Sequence, residues 1–234
     1  MQKRIMCYSD FVFALLEAGF SVGCGNDGGI YSVLQWGWDE QAPYDTPVRW
    51  HTGDPETDPW EWRMRVLDER DDIAYAKCFF KLGGYMTREW APCFLAARRD
   101  GRTFAEEYAH GVISAEARRV YEAVCAHEAL PTHALAPLCG FSRQEKPRVE
   151  RALVELQTRL HLTMCGRRRK VSRMGEEYGW SSAVFCTTER FWGEEVFSEA
   201  ARIKKEQAAA RIAQRALLLN PQVDAKKLQK FIFG

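Results

Sequence analysis

SRQEKPRVERALVELQTRL (residues 142–160), followed by HLTMCGRRRKVSRMGEEYGWSSAVFCT (residues 161–187), decides how the chain is read. Ser142 follows the turn residues Gly140 and Phe141 and suits a helix N-cap, because its hydroxyl can accept from a free backbone N–H. Over residues 144–159 the apolar positions recur on helical spacing, with Val149, Leu153 and Leu156 on one face. Residues 160–165 and 179–187 read as two short strands, and residues 166–178 between them as a polar, basic loop containing Gly175. Upstream, residues 114–127 form a helix capped by Ser114, and a short helix at residues 132–138 stops at Gly140.

Helix, turn, helix, strand, basic loop, strand is the order of a winged helix-turn-helix module. The second helix of such a module enters the major groove with its N-terminal turns. Here that helix offers Arg143, Lys146, Arg148 and Arg151. The loop offers Arg167, Arg168, Arg169, Lys170 and Arg173, five cations within seven residues. A loop of this kind can lie along phosphates or reach the minor groove, where negative potential draws Arg. Residues 142–173 hold ten Lys+Arg against three Asp+Glu, a net of +7. Neutralised phosphates release counterions, so this charge predicts salt-sensitive affinity for duplex DNA. The competing readings are a merely solvated basic face and a module that binds protein.

Outward from this stretch the charge reverses. Residues 1–141 carry 14 Lys+Arg and 21 Asp+Glu, a net of −7, whereas residues 142–234 carry 19 and 11, a net of +8. The +1 of the 234-residue chain therefore conceals an asymmetry that suits an anionic partner for the C-terminal part. Trp is skewed the other way, with six of eight between Trp36 and Trp90. With 46% hydrophobic and 28% charged residues, composition excludes wholesale disorder and fibrous repeats. The longest apolar stretch near the start, residues 11–16, is far short of the ~20 residues that span a bilayer, and it is also too short for the apolar core of a signal peptide and interrupted by Glu17. The expectation is a cytoplasmic protein without membrane contact, its eight Cys reduced. No CxxC or HExxH pattern occurs, so no metal and no cofactor are expected.

The N-terminal part reads as helix and strand. Residues 8–18 are helical and stop at Gly19. Residues 23–29 hold four Gly but fit neither GxGxxG nor a P-loop, and read as a plain loop. Asp58-Pro59 starts a helix, with Glu61 at the capping-box position. Residues 73–80 (IAYAKCFF) read as a strand, Gly83-Gly84 as a turn, and residues 87–98 as a helix with a kink at Pro92. Residues 198–219 read as one long solvent-facing helix, and residues 225–233 as a last helix capped by Asp224.

The strings WHTGDPETDPWEWR (residues 50–63), IAYAKCFF, GGYMTREWAPCFLAARRDG (residues 83–101), LVELQTRLHL and EEYGWSSAVFCTTERFWG (residues 176–193) resemble the AlkZ-related proteins over roughly residues 45–195. The resemblance implies kinship with winged-helix DNA glycosylases of the AlkZ class, which excise alkylated or cross-linked bases. Those enzymes carry a Gln-apolar-Gln or Gln-apolar-Asp motif whose Gln positions the attacking water. The literal match here, Gln222-Val223-Asp224, reads locally as a turn and helix cap, and Gln157-Thr158-Arg159 lacks the second amide or acid.

Residues 50–63 gather Trp50, Trp60 and Trp62 with Asp54, Glu56, Asp58 and Glu61. A base-excision enzyme holds an extruded base by aromatic contacts and activates water with a carboxylate or amide. In that reading Trp60 or Trp62 stacks on the base, and Asp58 or Glu61 is catalytic. In the structural reading Asp58 caps a helix and the Trp residues pack; two apart, they point to different helix faces. Lys77, between Tyr75 and Phe79, is either a nucleophile of lowered pKa or, more simply, a Lys that snorkels at a sheet edge or pairs with a carboxylate such as Asp71 or Asp72.

The fold class expected is therefore α+β. An acidic, Trp-rich α/β part (residues 1–112) precedes a winged helix-turn-helix (113–192) and a C-terminal helical tail (193–234). Phe231-Ile232-Phe233 in that tail needs cover from this chain or from a second copy, which would make a homo-oligomer. DNA binding ranks first, DNA glycosylase activity second and a protein-interaction module third.

Overall fold

The computed structural model describes residues 4–23, 25 and 27–234. The chain begins with α1 (Tyr8–Ala18), β1 (Phe20–Val22), α2 (Pro59–Glu69), β2 (Ile73–Phe79) and β3 (Leu82–Thr87). It continues through α3 (Ala91–Arg99), α4 (Phe104–Ala109), α5 (Ala115–His127), β4 (Ala129–Pro131), α6 (Thr132–Leu138), α7 (Lys146–Thr158), β5 (Leu162–Val171) and β6 (Glu177–Thr187). It ends with α8 (Thr188–Trp192), α9 (Glu194–Ala200), α10 (Lys205–Leu219) and α11 (Ala225–Phe233). The strands join in one antiparallel sheet of order β1-β3-β2-β5-β6-β4. The fold is mixed α+β, and the sheet runs through both the acidic and the basic parts of the chain.

Helices cover both faces of the sheet. Strand alternation sends Ile73 and Tyr75 of β2 into one core with α1, α2, α5, α6 and α7, and Ala74, Ala76 and Cys78 into the other with α3, α9, α10 and α11. That is why IAYAKCF is an almost unbroken apolar run. Local chemistry sets many of the ends. Gly19 closes α1 in the left-handed conformation at φ 88°. Asp58 caps α2, with Pro59 in its first turn, and Thr103 with Glu106 forms a capping box on α4. Ser114 caps α5; Ser142 and Glu145 form a second capping box on a 3-10 turn, Arg143–Glu145, that leads into α7.

Several expectations are corrected. The turn before β3 is at Phe80 and Lys81, both at positive φ, and Gly83-Gly84 lies inside the strand. Glycine is required there because a Cβ on Gly83 would stand 2.4 Å from the Tyr75 hydroxyl. The helix expected from residue 87 starts at Ala91, and Pro92 sits in its first turn, where a missing N–H is harmless, so it causes no kink. The expected 198–219 helix is two, α9 and α10, and α10 buries Ala208, Ile212 and Ala216 instead of lying free. The basic run at residues 167–170 is strand, not loop: Arg167 pairs with Ala183 and Arg168 with Ser182 across the hairpin. Lys77 lies on an interior strand with an exposed side chain, not at a sheet edge. Cys24 and Asn26 of the glycine-rich loop lie outside the described residues; the seven described Cys are free thiols.

Two buried charges tie these layers together. Arg98 of α3 has no ion pair among the described residues; its guanidinium donates to four carbonyls, Cys78 (2.7 Å), Thr158 (2.7 Å), Phe231 (2.6 Å) and Ile232 (2.9 Å). Those oxygens belong to the ends of β2, α7 and α11. The tail thus folds back on its own chain, and this chain covers Phe231 and Ile232. Burial pushes Arg98 down to about 10, still charged at neutral pH. Glu107 of α4, fully buried, accepts from His161 Nε2 (2.7 Å) and Arg159 Nε (3.0 Å), and Arg159 Nη2 reaches its second oxygen. Burial alone would raise the Glu107 carboxyl, but its His161 and Arg159 partners outweigh that and hold it at about 2. Burial holds His161 below its usual 6.5.

Both depressed values mean that the unfolded chain binds more protons than the folded chain as pH falls. Stability contributed here is complete above about pH 6.5 and is lost with acid, first through His161 and then, below about 4.5, through Glu107 down towards pH 2. Glu107→Gln should cost about 3 kcal/mol at pH 7, because it leaves buried donors with a neutral partner. It should also flatten the acid limb in urea unfolding measured from pH 3 to 8. An unchanged acid limb would show that the cluster does not titrate with folding.

Candidate nucleic-acid interface

Strands β5 and β6 pair from Leu162↔Thr187 out to Val171↔Glu177. Their inner ends, Leu162, Met164 and Phe185, sit in the core. Beyond Gly166 burial ends, and residues 167–171 and 177–181 are exposed on both strands. The hairpin is therefore a two-stranded arm projecting from the six-stranded sheet. Ladder pairing, not apolar alternation, holds its outer half, so the cations of RRRK can occupy strand positions there.

All nine predicted DNA-binding cations are exposed: Arg143 on the 3-10 turn before α7, Lys146, Arg148 and Arg151 at the start of α7, and Arg167, Arg168, Arg169, Lys170 and Arg173 on the hairpin. Three have intramolecular partners. Arg148 meets Glu145 at 3.1 Å, Lys146 meets Glu150 at 3.8 Å and Arg167 meets Glu61 at 3.2 Å. Exposed pairs of this kind are weak and exchange readily. Among the described residues the other six, Arg143, Arg151, Arg168, Arg169, Lys170 and Arg173, make no ion pair. His133 of α6 joins this region through a 2.6 Å bond from Nδ1 to the Ser182 hydroxyl. Burial first, then the charges of Lys170 and Arg168, push its pKa below the usual value.

The acidic Trp segment divides between structure and surface. Asp58 is buried, and its carboxylate accepts from the backbone N–H groups of His51 (3.0 Å), Gly53 (2.8 Å) and Trp60 (2.8 Å). Both oxygens are committed to the cap and to the loop before it. Trp62 is fully buried, stacked 5.1 Å from Phe11, with its indole N–H on Pro55 O. Trp60 is 45% exposed, but Arg63 covers one ring face at 3.4 Å and His51 lies 4.8 Å away. Glu61, beside it, reaches the hairpin through Arg167. Of the four candidates, the fold brings Glu61 to the basic arm, leaves Trp60 on the surface against Arg63 and His51, and gives Asp58 and Trp62 to scaffold. Nearby, Trp36, Trp38, Tyr44 and Trp50 line a polar cavity of about 460 Å³ with Glu40 and Arg49.

Gln157 is also scaffold: its Oε1 accepts the Lys77 N–H (2.9 Å) and its Nε2 donates to Leu153 O. The Asp224 carboxylate caps α11 through Lys227 N–H. Sequence reasoning missed the exposed apolar side chains of the hairpin, Trp180 above all, which is 95% exposed. The signal that could have found it is a Trp directly after a Gly, next to a basic run.

A family model described as AlkZ related matches residues 5–233, nearly the whole chain. The chain belongs to the AlkZ-related family. No significant match was found among curated proteins or among solved structures. In this AlkZ-related protein, the matched stretch takes in the basic hairpin, the Trp-rich segment and the helical tail together. No helix among its described residues is long and apolar enough to cross a membrane.

The division of the Trp-rich segment is testable by stability. Asp58→Ala should cost about 2 kcal/mol in urea unfolding, the upper range for removal of an N-cap. Glu61→Gln, a surface change, should stay within about 0.5 kcal/mol. Equal effects would contradict the assignment of Asp58 to scaffold.

Proposed function

We propose that this protein binds duplex DNA through a winged helix-turn-helix spanning residues 113–192. In this reading α5, α6 and α7 are its three helices, α7 is the recognition helix and the β5–β6 hairpin is the wing. The strand arrangement supports it: β4 follows α5 and pairs with β6, which pairs with β5, giving the small sheet such a module carries. The observation that carries the proposal is the set of six exposed cations without ion pairs on the α7 start and the hairpin. Membership of a family named for AlkZ points to the same chemistry, DNA repair.

The interaction should be dominated by phosphate contacts. Fluorescence anisotropy on a random-sequence duplex should show log Kd rising linearly with log salt. Replacing Arg167, Arg168 and Arg169 with Ala should weaken binding and lower the slope by about 2 to 3, close to 0.9 for each phosphate no longer neutralised. No binding at low salt, or a slope unchanged by the triple replacement, would overturn the proposal. Capture of a protein partner with no DNA affinity would favour an interaction module.

One contact favours a second reading, base excision. The Glu61–Arg167 pair sets a carboxylate at the root of the wing, on the helix that also carries half-exposed Trp60. There Glu61 would activate water for attack on the sugar carbon while the arm holds the backbone, and Asp58 and Trp62 would only support the segment. Purified protein should then release bases from alkylated or cross-linked duplexes, and Glu61→Gln should abolish release without loss of DNA affinity. An absence of release across a broad lesion panel would leave DNA binding alone.

A further inference from the structure

The basic hairpin carries a second feature that phosphate binding does not use. Trp180 is 95% exposed, Met174 88%, Val171 57% and Tyr178 51%. Among the described residues Trp180 makes no ring contact and no cation–π contact. A Trp presents one of the largest apolar surfaces of any side chain, and such surface gains from burial. All four lie on one two-stranded arm that also carries Arg167, Arg168, Arg169, Lys170 and Arg173, and Trp180 is the largest and most exposed of them.

The backbone places Trp180 in that position. Strand pairing shifts register between Arg168↔Ser182 and Lys170↔Tyr178, so residues 179–181 face a single residue of β5. Gly179, inside this bulge, is at φ 72°, and a Cβ there would meet nothing within 4 Å. The glycine serves the backbone conformation, not a tight contact. Bulges of this kind re-aim a side chain out of the regular ladder. The indole is thus held out from a paired, two-stranded support, with cations on the opposite strand.

We propose that Trp180 stacks on an unpaired base, so that the arm selects duplex DNA at an interruption of base pairing. This rests on the DNA-binding reading above and adds a structural preference to it. The chemistry fits: every base offers a π-face to an aromatic, and the flanking cations track the backbone on either side of the break. In an intact duplex the bases are stacked on one another, so the indole finds no face unless a step opens. The charge decides the partner, since a cationic arm suits a polyanion better than an apolar protein groove. Glu176 and Glu177 at the far end limit how much of the tip meets phosphate and leave the Trp180 region as the contact.

The test uses the full chain and three labelled probes of one sequence: a fully paired duplex, the same duplex with a single unpaired thymine, and one with a short single-stranded gap. The wild-type protein should bind both interrupted probes more tightly than the paired one, with Trp fluorescence quenched on binding. Trp180→Ala should remove that preference, weakening the interrupted probes roughly 5- to 150-fold, while paired-duplex affinity stays nearly unchanged. Trp180→Phe should restore part of it. Equal wild-type affinity for all three probes, or an equal loss on all three in Trp180→Ala, overturns stacking and leaves the DNA-binding reading intact. An absence of binding to every probe overturns both. Trp180-dependent self-association in sedimentation, or Trp180-dependent binding to phosphatidylserine vesicles without DNA preference, assigns the Trp180 side chain to another partner and overturns the proposal.

Discussion

Arg98 is the point on which the rest of the molecule depends. The last carbonyls of an α-helix have no intrahelical partner, and the helix dipole leaves them partly negative. Arg98 takes up such oxygens from two helices, α7 and α11, and one more from the end of β2. A buried guanidinium is costly to leave unpaired, so the four acceptors must assemble together. A Lys there would be a poor substitute, because it has three donors on a point charge in place of a planar fork. The arrangement fixes the C-terminal end of α7 against the core, while Arg143 on the preceding 3-10 turn and Lys146, Arg148 and Arg151 in its first turns stay exposed. It also locks the tail, placing Phe231 against Phe20, Phe79 and Phe94.

Covering both faces of the sheet has its own consequence for the surface. Four of the six strands are short or enclosed, and β5 and β6 alone extend well past the helical layers. Their inner ends belong to the core, so the arm is anchored. Their outer ends need no core complement, so charge and aromatic surface can collect there without loss of packing. The near-neutral chain therefore presents a concentrated positive field in one place. Glu61, Glu145 and Glu150 pair with three of the exposed cations, and solvent-accessible pairs of this kind are weak.

Features set by neighbouring residues are legible in the sequence. The α1 stop at Gly19, the α2 start at Asp58-Pro59, the Ser114 cap and the Asp224 cap all match, because each is a local hydrogen-bond or backbone requirement. The order of the helices α5, α6 and α7 and of the strands β5 and β6 is legible for the same reason, as are the exposed cations, whereas β4 between α5 and α6 is not, because only its pairing with β6 makes it a strand. What stays hidden depends on partners far along the chain. Arg98 meets carbonyls 133 and 134 residues away, Gln157 closes the end of β2 across 80 residues, and Glu107 meets Arg159 and His161 across more than 50. The basic run reads as a loop because charge usually signals one. On a projecting arm the ladder alone holds the strand, so charge says nothing about its conformation. In the Trp-rich segment, a spacing of two means different fates: Trp62 is core and Trp60 is surface.

Amide hydrogen exchange of the full chain with and without a saturating random-sequence duplex at low salt tests the proposed DNA contact most directly. Added protection in residues 162–187 and in the first two turns of α7, with none in α10 or α11, is the expected pattern. Protection confined to the α10–α11 face, or no change anywhere on the hairpin, would contradict DNA contact through the basic arm.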